Sequence, residues 1–308
     1  MNSGSLDVGR LRLLREVELR GSIAAAAREL GLTPSAISQQ LAVLEREAGT
    51  ALIDRSPRGV SLTGAGHALA GRAGEVLEVL SAARADLDRL AGVPGGPVSV
   101  AAVASAALTF VSSAAAALAA EHAGIDLEVS AAEPARALAL LVAGDVDLAV
   151  VDEYDYVPLA LPDFVVAREL CSEPLVLTVP SGWAGPQRPA LAELADQRWV
   201  MPPDDAACGQ AVRSACRAAG FEPRVRWTTD DMLVLAQAVA AGHGVAVLPR
   251  LSVAADAARV DTRELSAPRL QRRLTVVARA STLGRSAVST VVDALVAAAE
   301  NPAERVAG

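Results

Sequence analysis

The fold of the amino-terminal region is decided by one stretch of sequence, Gly21-Ser-Ile-Ala-Ala-Ala-Ala-Arg-Glu-Leu-Gly-Leu-Thr33, which continues as Pro34-Ser-Ala-Ile-Ser-Gln-Gln-Leu41. Ser22 is a natural N-cap for a short helix that Gly31 would end. Thr33 followed by Pro34 is a stronger start signal, because the threonine hydroxyl can cap a helix and proline suits its first position. The stretch therefore predicts two helices joined by a short turn, the second running to Ala48.

Another helix is predicted in front of this pair, over residues 7–19. In the last helix Ile37, Leu41 and Leu44 form a buried stripe, which leaves small and amide side chains exposed in its first two turns. A helix-turn-helix has this form, and its second helix enters the major groove, where glutamine can bond adenine. The alternative is an ordinary three-helix bundle. We expect DNA contacts from Thr33, Ser35, Ala36, Ser38, Gln39 and Gln40.

The next segment predicts a wing beside these helices. Two short strands, around Ile53 and over residues 60–62, are joined by Ser56-Pro-Arg-Gly59. Arg55 and Arg58 lie at the tip of this hairpin, where arginine can reach the DNA backbone or the minor groove. Residues 1–64 are therefore predicted to be an all-α winged helix-turn-helix domain.

Taken in order, these motifs resemble those of the LysR-type bacterial transcriptional regulators. The resemblance continues through Leu44-Glu-Arg-Glu-Ala-Gly49, Leu52-Ile-Asp-Arg55 and Leu62-Thr-Gly-Ala-Gly66. Ile53 stands where the family usually has Phe, and Gln39 stands where Arg is frequent. The resemblance implies a regulator whose winged helix-turn-helix reads an inverted repeat in double-stranded DNA and whose carboxy-terminal part senses a small-molecule effector.

Residues 65–93 predict a linker helix followed by a hinge at Val93-Pro-Gly-Gly-Pro97. Apolar residues repeat every seven positions with an offset of four, which is the seam of a coiled coil. The alternative is a helix packed only on its own domain. The seam predicts a homodimer or homotetramer, and it consists of Leu69, Ala73, Val76, Leu80, Ala83, Leu87 and Leu90.

Residues 94–308 alternate strand-like and helical runs, which predicts an α/β domain with a mostly parallel sheet. Val142-Ala-Gly-Asp-Val-Asp-Leu-Ala149, Cys216-Arg-Ala-Ala-Gly-Phe-Glu-Pro223 and Val239-Ala-Ala-Gly-His-Gly-Val-Ala-Val-Leu-Pro249 resemble the effector-binding half of the same family. The resemblance implies a two-lobed fold like that of type 2 periplasmic binding proteins. Lobe I is expected at about residues 97–164 and 270–300, and lobe II at about 165–269.

Ligands of such folds bind at the carboxyl ends of the strands, between the lobes. Helix starts at Ser105 and Thr229 would favour an anionic group. The acidic residues near the same strand ends, among them Glu153, Asp205 and Asp231, would instead favour a cationic group. The sequence therefore leaves the charge of the ligand open. The expected effector-binding residues are Ala104, Ser105, Ala106, Glu133, Asp152, Tyr154, Pro202, Asp204, Cys208, Thr228, Thr229 and Asp230.

A thiol-based redox sensor is an alternative to ligand sensing. Cys208 and Cys216 lie in the region where peroxide-sensing members of the family carry a reactive pair, although their spacing of eight differs from that pattern. Cys216 shares a helix face with Val212 and Ala215, which favours a core position. Arg213 is the one cation expected near Cys208, so little would lower its pKa. We therefore expect Cys208 to line the cleft, with Asp204 and Asp205 helping to select the effector.

Composition narrows the class of protein. The 308 residues carry a net charge of −8, yet residues 1–64 carry +1, which suits a head that approaches a polyanion. Three cysteines without a metal-binding spacing, and charges throughout the amino terminus, predict a cytoplasmic protein with neither metal nor membrane anchor. His67, His122 and His243 lie in no catalytic motif, so no enzyme and no cofactor are expected. The alternative is a two-lobed enzyme with an accessory helical domain.

Overall fold

The computed structural model describes residues 6–56, 59–91, 94–253 and 259–300. The chain separates into two compact units, residues 1–92 with 281–285 and residues 93–280 with 286–308. The elements of residues 1–92 are α1 (Val8–Arg20), α2 (Ile23–Glu29), α3 (Pro34–Ala48), β1 (Ile53–Ser56), β2 (Gly59–Leu62) and α4 (Gly64–Ala91).

The first three helices start at polar caps that the sequence supplies. The Asp7 carboxylate accepts the N–H of Arg10, and the Ser22 and Thr33 hydroxyls accept those of residues 25 and 36. Gly21 and Gly49 end α1 and α3 with φ of 69° and 67°, a left-handed conformation that glycine adopts without strain. These local signals explain why the boundaries of α3 match the predicted ones.

The core of this unit joins the three helices to the wing. Leu14, Ile37 and Leu44 are completely buried within it. The wing is tied to α3 because the Glu45 carboxylate accepts the backbone N–H groups of Leu52 and Ile53, at 2.9 and 3.0 Å. Strands β1 and β2 pair antiparallel, with Ile53 opposite Leu62 and Ser56 opposite Gly59. The predicted winged helix-turn-helix fold is therefore confirmed.

Helix α4 divides into a packed start and an exposed continuation. Gly66 lies against the wing, where a Cβ atom would come within 2.2 Å of the Leu52 carbonyl oxygen, so only glycine fits. Leu69 and Ala73 of the predicted seam pack into the core of their own unit. Further along, four apolar side chains are exposed: Val76, Val79, Leu80 and Leu87. The predicted Leu90 side chain lies outside the described residues.

The second unit is built on a mixed β-sheet. Its strand order is β10-β6-β11-β5-β3-β4, and β9 pairs with β6. A separate parallel pair is formed by β7 and β8. These strands are β3 (Gly96–Ala102), β4 (Ile125–Ala131), β5 (Leu148–Tyr154), β6 (Val165–Pro180), β7 (Arg198–Met201), β8 (Arg224–Thr228), β9 (Ala246–Pro249), β10 (Val260–Arg263) and β11 (Gln271–Arg279).

Strand β6 belongs to both halves of this unit. Its first part, to Pro174, pairs with β11, and its second part, from Leu175, pairs with β9 and β10. We call β3, β4, β5, β11 and the first part of β6 lobe I, and the second part of β6 with β7 to β10 lobe II. The two-lobed α/β fold is thus confirmed.

The direction of the strands differs from the predicted one. The prediction of a mostly parallel sheet is wrong, because β6 and β11 pair antiparallel with their neighbours. The chain returns from lobe II through β11, which has to run antiparallel to β5 and β6, and β6 is continuous.

The helices that cover these strands are α5 (Ala104–Ala106), α6 (Ser112–Glu121), α7 (Pro134–Ala143), α8 (Ala207–Ala218), α9 (Met232–Ala240), α10 (Arg250–Val253) and α11 (Ser286–Glu300), with a π-helical turn at Ala107–Val111.

Candidate functional site

The start of α3 presents a polar surface. Ile37 is completely buried on its inner face. Ser35 and Gln39 are exposed, while Ala36 and Ser38 are half-buried. The Gln39 amide makes no hydrogen bond within the described chain, so both its donor and its acceptor face outward. This is the geometry that a base-reading glutamine needs.

Three of the expected DNA-contacting residues, Thr33, Ser35 and Gln40, already have structural partners. Thr33 caps α3, and its hydroxyl lies 3.0 Å from that of Ser35. Gln40 is held from α1, because Arg10 Nε donates to Gln40 Oε1 at 3.1 Å while Arg10 Nη1 donates to Glu47 at 2.7 Å. The Gln40 NH₂ group keeps its donors, but its carbonyl is occupied by Arg10. No motif in the sequence linked Arg10 to this surface.

The tip of the wing is described only in part. Arg55 lies in β1 opposite Val60. The other arginine expected to contact DNA, Arg58, lies outside the described residues.

A cavity of about 520 Å³ opens in the second unit where strands of both lobes end. Its walls come from the carboxyl ends of β3, β4, β5, β7, β8 and β9 and from the amino end of β11, which runs antiparallel. A volume of this size suits a small organic ligand. Eight of the expected effector-binding residues line the cavity: Ala104, Ser105, Glu133, Asp152, Tyr154, Pro202, Cys208 and Asp230.

The other four expected residues do not line the cavity. Ala106 is completely buried beneath it. Asp204 points outward, with 87% of its side chain exposed, and pairs with Arg213 at 2.8 Å. Thr228 ends β8 opposite Met201, and the Thr229 hydroxyl accepts the backbone N–H of Asp231. Asp205 is likewise absent from the lining, so neither it nor Asp204 is placed to select a ligand.

A buried ion pair forms the floor of the cavity. Arg272 is 2% exposed and donates from Nε to Glu173 Oε1 at 2.8 Å, with a second, short contact from Nη2. Its Nη1 donates to the Ser105 hydroxyl at 2.9 Å and to Asp152 Oδ2 at 3.1 Å. Tyr154 also donates to Asp152, at 2.8 Å. Two carboxylates therefore surround the one guanidinium.

Arg272 was not predicted to line the cleft, because ligand contacts were expected after the carboxyl ends of strands and Arg272 lies at the amino end of β11. A signal was present: Arg272 alternates with Leu274 and Val276 along β11, so it shares their buried face. The residues Val103, Leu108, Met232, Leu233, Leu251 and Ser252 were also missed as lining residues.

The carboxyl group of Glu133 is held near other negative charges. Partial burial raises its pKa, and the negative charges of Asp152 and Asp230 raise it further, against the opposing effect of Arg272. The Asp231 carboxylate, unlike that of Glu133, has hydrogen-bond partners within the chain. It accepts hydrogen bonds from the N–H groups of Leu233 and Val234 at the start of α9, at 2.9 and 3.2 Å.

The two cysteines of the redox alternative are buried on one helix. Burial raises the pKa of each thiol to about 12, so neither has thiolate character. The cation near the Cys208 thiol is Arg272, not the predicted Arg213. At about 1.5 Å of rise per residue, eight residues of helix separate Cys208 from Cys216 by about 12 Å, twice the Cα distance of a disulfide. A disulfide would require α8 to unwind.

Two other features of the described residues concern metal binding and membrane insertion. The described residues contain no cluster of three or more His, Cys, Asp or Glu side chains that could hold a metal ion. The helical run Ala104–Glu121 has the length and the mean hydropathy, 1.3, of a membrane span. In this window 28% of the residues are buried, and Phe110, Ala114 and Leu118 are among them.

Comparison with known proteins matches both units. Residues 8–67 match the family described as bacterial regulatory helix-turn-helix protein, lysR family, and residues 91–300 match the LysR substrate binding domain. A Mycobacterium avium protein named "Probable hydrogen peroxide-inducible genes activator" is 31% identical over 289 residues, which cover 89% of this chain and 88% of that protein. The Streptomyces coelicolor "Small neutral protease regulatory protein" is 31% identical over 244 residues, 77% and 75% of the two chains.

Solved structures share the fold at lower identity. A full-length OxyR variant from Pseudomonas aeruginosa has a TM-score of 0.71 and 19% identity, and the match covers 98% of this chain and 97% of that one. Vibrio fischeri DarR in complex with DNA has a TM-score of 0.54 and 19% identity, with 95% and 99% covered.

Proposed function

Because the chain belongs to the LysR family of bacterial transcriptional regulators, we propose that α3 and the wing bind its operator and that a small molecule in the cleft alters this binding. The observation that carries the first part is α3 itself, whose inner face is buried while Ser35 and Gln39 are exposed at its start. In this proposal residues 1–64 bind DNA and residues 94–308 sense the effector. Residues 65–93 link these two domains.

The operator can be found by selecting bound duplexes from a random DNA pool with the full-length chain. We expect an inverted repeat, because a symmetric oligomer presents two copies of α3 to two half-sites. Arg58→Ala should weaken binding to selected and random duplexes alike and flatten the salt dependence, since a phosphate contact carries no sequence information. Selection of no preferred sequence would contradict the proposal.

Members of this family bind operator DNA as oligomers. We assign the homodimer or homotetramer contact of this chain to the exposed half of α4, where Val76, Val79, Leu80 and Leu87 form an apolar surface. Apolar side chains of this number on one helix are stabilised by a partner helix.

The ligand-sensing role rests on the cavity between the lobes, with Ser105, Glu133, Tyr154 and Asp230 among its lining. The expected role is binding without turnover, in the cytoplasm and without a cofactor. A thermal-shift screen of metabolites on the full-length chain tests this, followed by operator binding with each compound that stabilises the protein. A compound that is chemically converted would favour the enzyme alternative.

Similarity to a probable peroxide-responsive activator keeps redox sensing as a second candidate. Two observations oppose it in this chain: the Cys208 thiol is buried, and Cys216 lies two helical turns away along α8. We therefore propose ligand sensing as the function of the second unit.

A further inference from the structure

The cleft between the lobes carries more negative than positive charge. Its lining contains four carboxylates and one guanidinium, that of Arg272. This guanidinium is already paired with Glu173 behind the wall and with Asp152 in it. We propose that the effector is a small organic cation, an amine or amidine with a short apolar part. The inference rests on the proposed role of this cleft as the effector site.

The four carboxylates are not equivalent. Asp152 accepts hydrogen bonds from Arg272 and Tyr154, and Asp231 accepts the first N–H groups of α9. The side-chain carboxylates of Glu133 and Asp230 make no hydrogen bond or ion pair with any described residue, although both residues line the cavity. They are the two carboxylates left for a ligand, and they repel each other when it is absent.

An independent observation points to a missing ligand group. Ser252 lines the cavity, is only 7% exposed, and its Oγ finds no hydrogen-bond partner within the described chain. A buried hydroxyl without a partner is costly, so such groups are usually satisfied. An ammonium or amidinium group carries donors and no acceptor. The Ser252 hydroxyl can accept a hydrogen bond from one of these donors.

Of the two helix starts expected to attract an anion, the start of α9 is capped by a side chain and the start of α5 is not. The start of α9, which the sequence suggested as an anion site at Thr229, is capped by the Asp231 carboxylate. The Ser105 hydroxyl accepts a hydrogen bond from Arg272. An anionic ligand would thus meet Glu133 and Asp230 without a free cation to balance them.

The remaining wall fits an apolar part of the ligand. Leu108 and Leu233 are 62% and 51% exposed, although both are large apolar side chains that line the cavity. Val103, Met232 and Leu251 continue this lining. Contact with an apolar group would remove part of this surface from water, which favours binding.

Matched pairs of probes test the charge of the ligand. Isothermal titration calorimetry on the full-length chain would compare benzylamine with benzoate and benzyl alcohol, and putrescine with succinate. We expect the amines to bind at least tenfold more tightly than their partners. Glu133→Gln and Asp230→Asn should each weaken amine binding about tenfold and leave benzyl alcohol unchanged. Asp126→Asn is the control, since Asp126 is exposed at the amino end of β4, away from the cavity.

The possible outcomes distinguish a failure of the cationic effector from a failure of the proposed effector site. Tighter binding of benzoate or succinate, or amine binding that Glu133→Gln and Asp230→Asn do not change, would overturn the cationic effector and leave the cleft as the sensing site. Binding of neither series at millimolar concentration would overturn both this inference and the proposed effector site. Ser252→Ala gives a further check, because it should weaken amine binding without lowering the unfolding midpoint.

Discussion

Replacing Glu173 by alanine should destabilise the second unit by about 3 to 5 kcal/mol, the usual cost of removing one partner of a buried ion pair. Glu173 is 7% exposed, and its carboxylate accepts from Arg272 Nε and Nη2 and from the backbone N–H of Leu251. The substitution leaves the Arg272 guanidinium buried with one carboxylate, Asp152, and leaves the Leu251 N–H without its acceptor. Both losses act in the same direction.

Urea unfolding followed by tryptophan fluorescence measures this effect in the full-length chain. The three tryptophans, Trp183, Trp199 and Trp227, all lie in the second unit, so their emission reports its unfolding alone. The matched control removes both charges, as Glu173→Leu with Arg272→Met. It should cost less than the single substitution, because no buried charge is left unpaired. A single-variant loss below about 1 kcal/mol, or a double variant as unstable as the single, would refute the reasoning.

Three other predictions concern DNA, assembly and oxidation. Gln39→Ala should lose about 1 to 3 kcal/mol on the selected operator and little on random duplex, measured by fluorescence anisotropy. Gln187→Ala is the control, since Gln187 is an exposed glutamine of the second unit, and equal losses on both DNAs for Gln39→Ala would exclude base reading. Leu80→Asp with Leu87→Asp should give monomers in sedimentation and weaker operator binding, because two half-sites lose their tether; a monomeric wild type at micromolar concentration would contradict the α4 contact. Mild peroxide should form no Cys208–Cys216 disulfide by mass spectrometry and leave operator binding unchanged; a rapid disulfide that alters binding would identify a redox sensor.

The features that could be predicted from sequence are those with local causes. Helix α3 begins at Thr33 and ends at Gly49 because its caps lie within the helix's own neighbouring residues. The position of the cleft was predictable since parallel strands bring their carboxyl ends to one edge, and Glu133 and Asp230 follow such strands.

The features that escaped prediction depend on contacts between distant segments. Arg272 and Glu173 are 99 residues apart and meet only because β11 pairs antiparallel with β6. Cys208 was predicted to lie in the cleft wall, but its depth and the charge beside it follow from the same distant pairing.

The path of the chain between the lobes has a mechanical consequence. Only two stretches in the described second unit pass from one lobe to the other: β6 near Pro174, and the segment between β10 and β11. Glu173 lies on the first and Arg272 at the end of the second, and they are direct partners in the strand register. A change in the angle between the lobes is therefore a twist of two strands about their ion pair. Since Arg272 also bonds Ser105 and Asp152 in the cavity, a molecule bound there acts directly on the pivot of that motion.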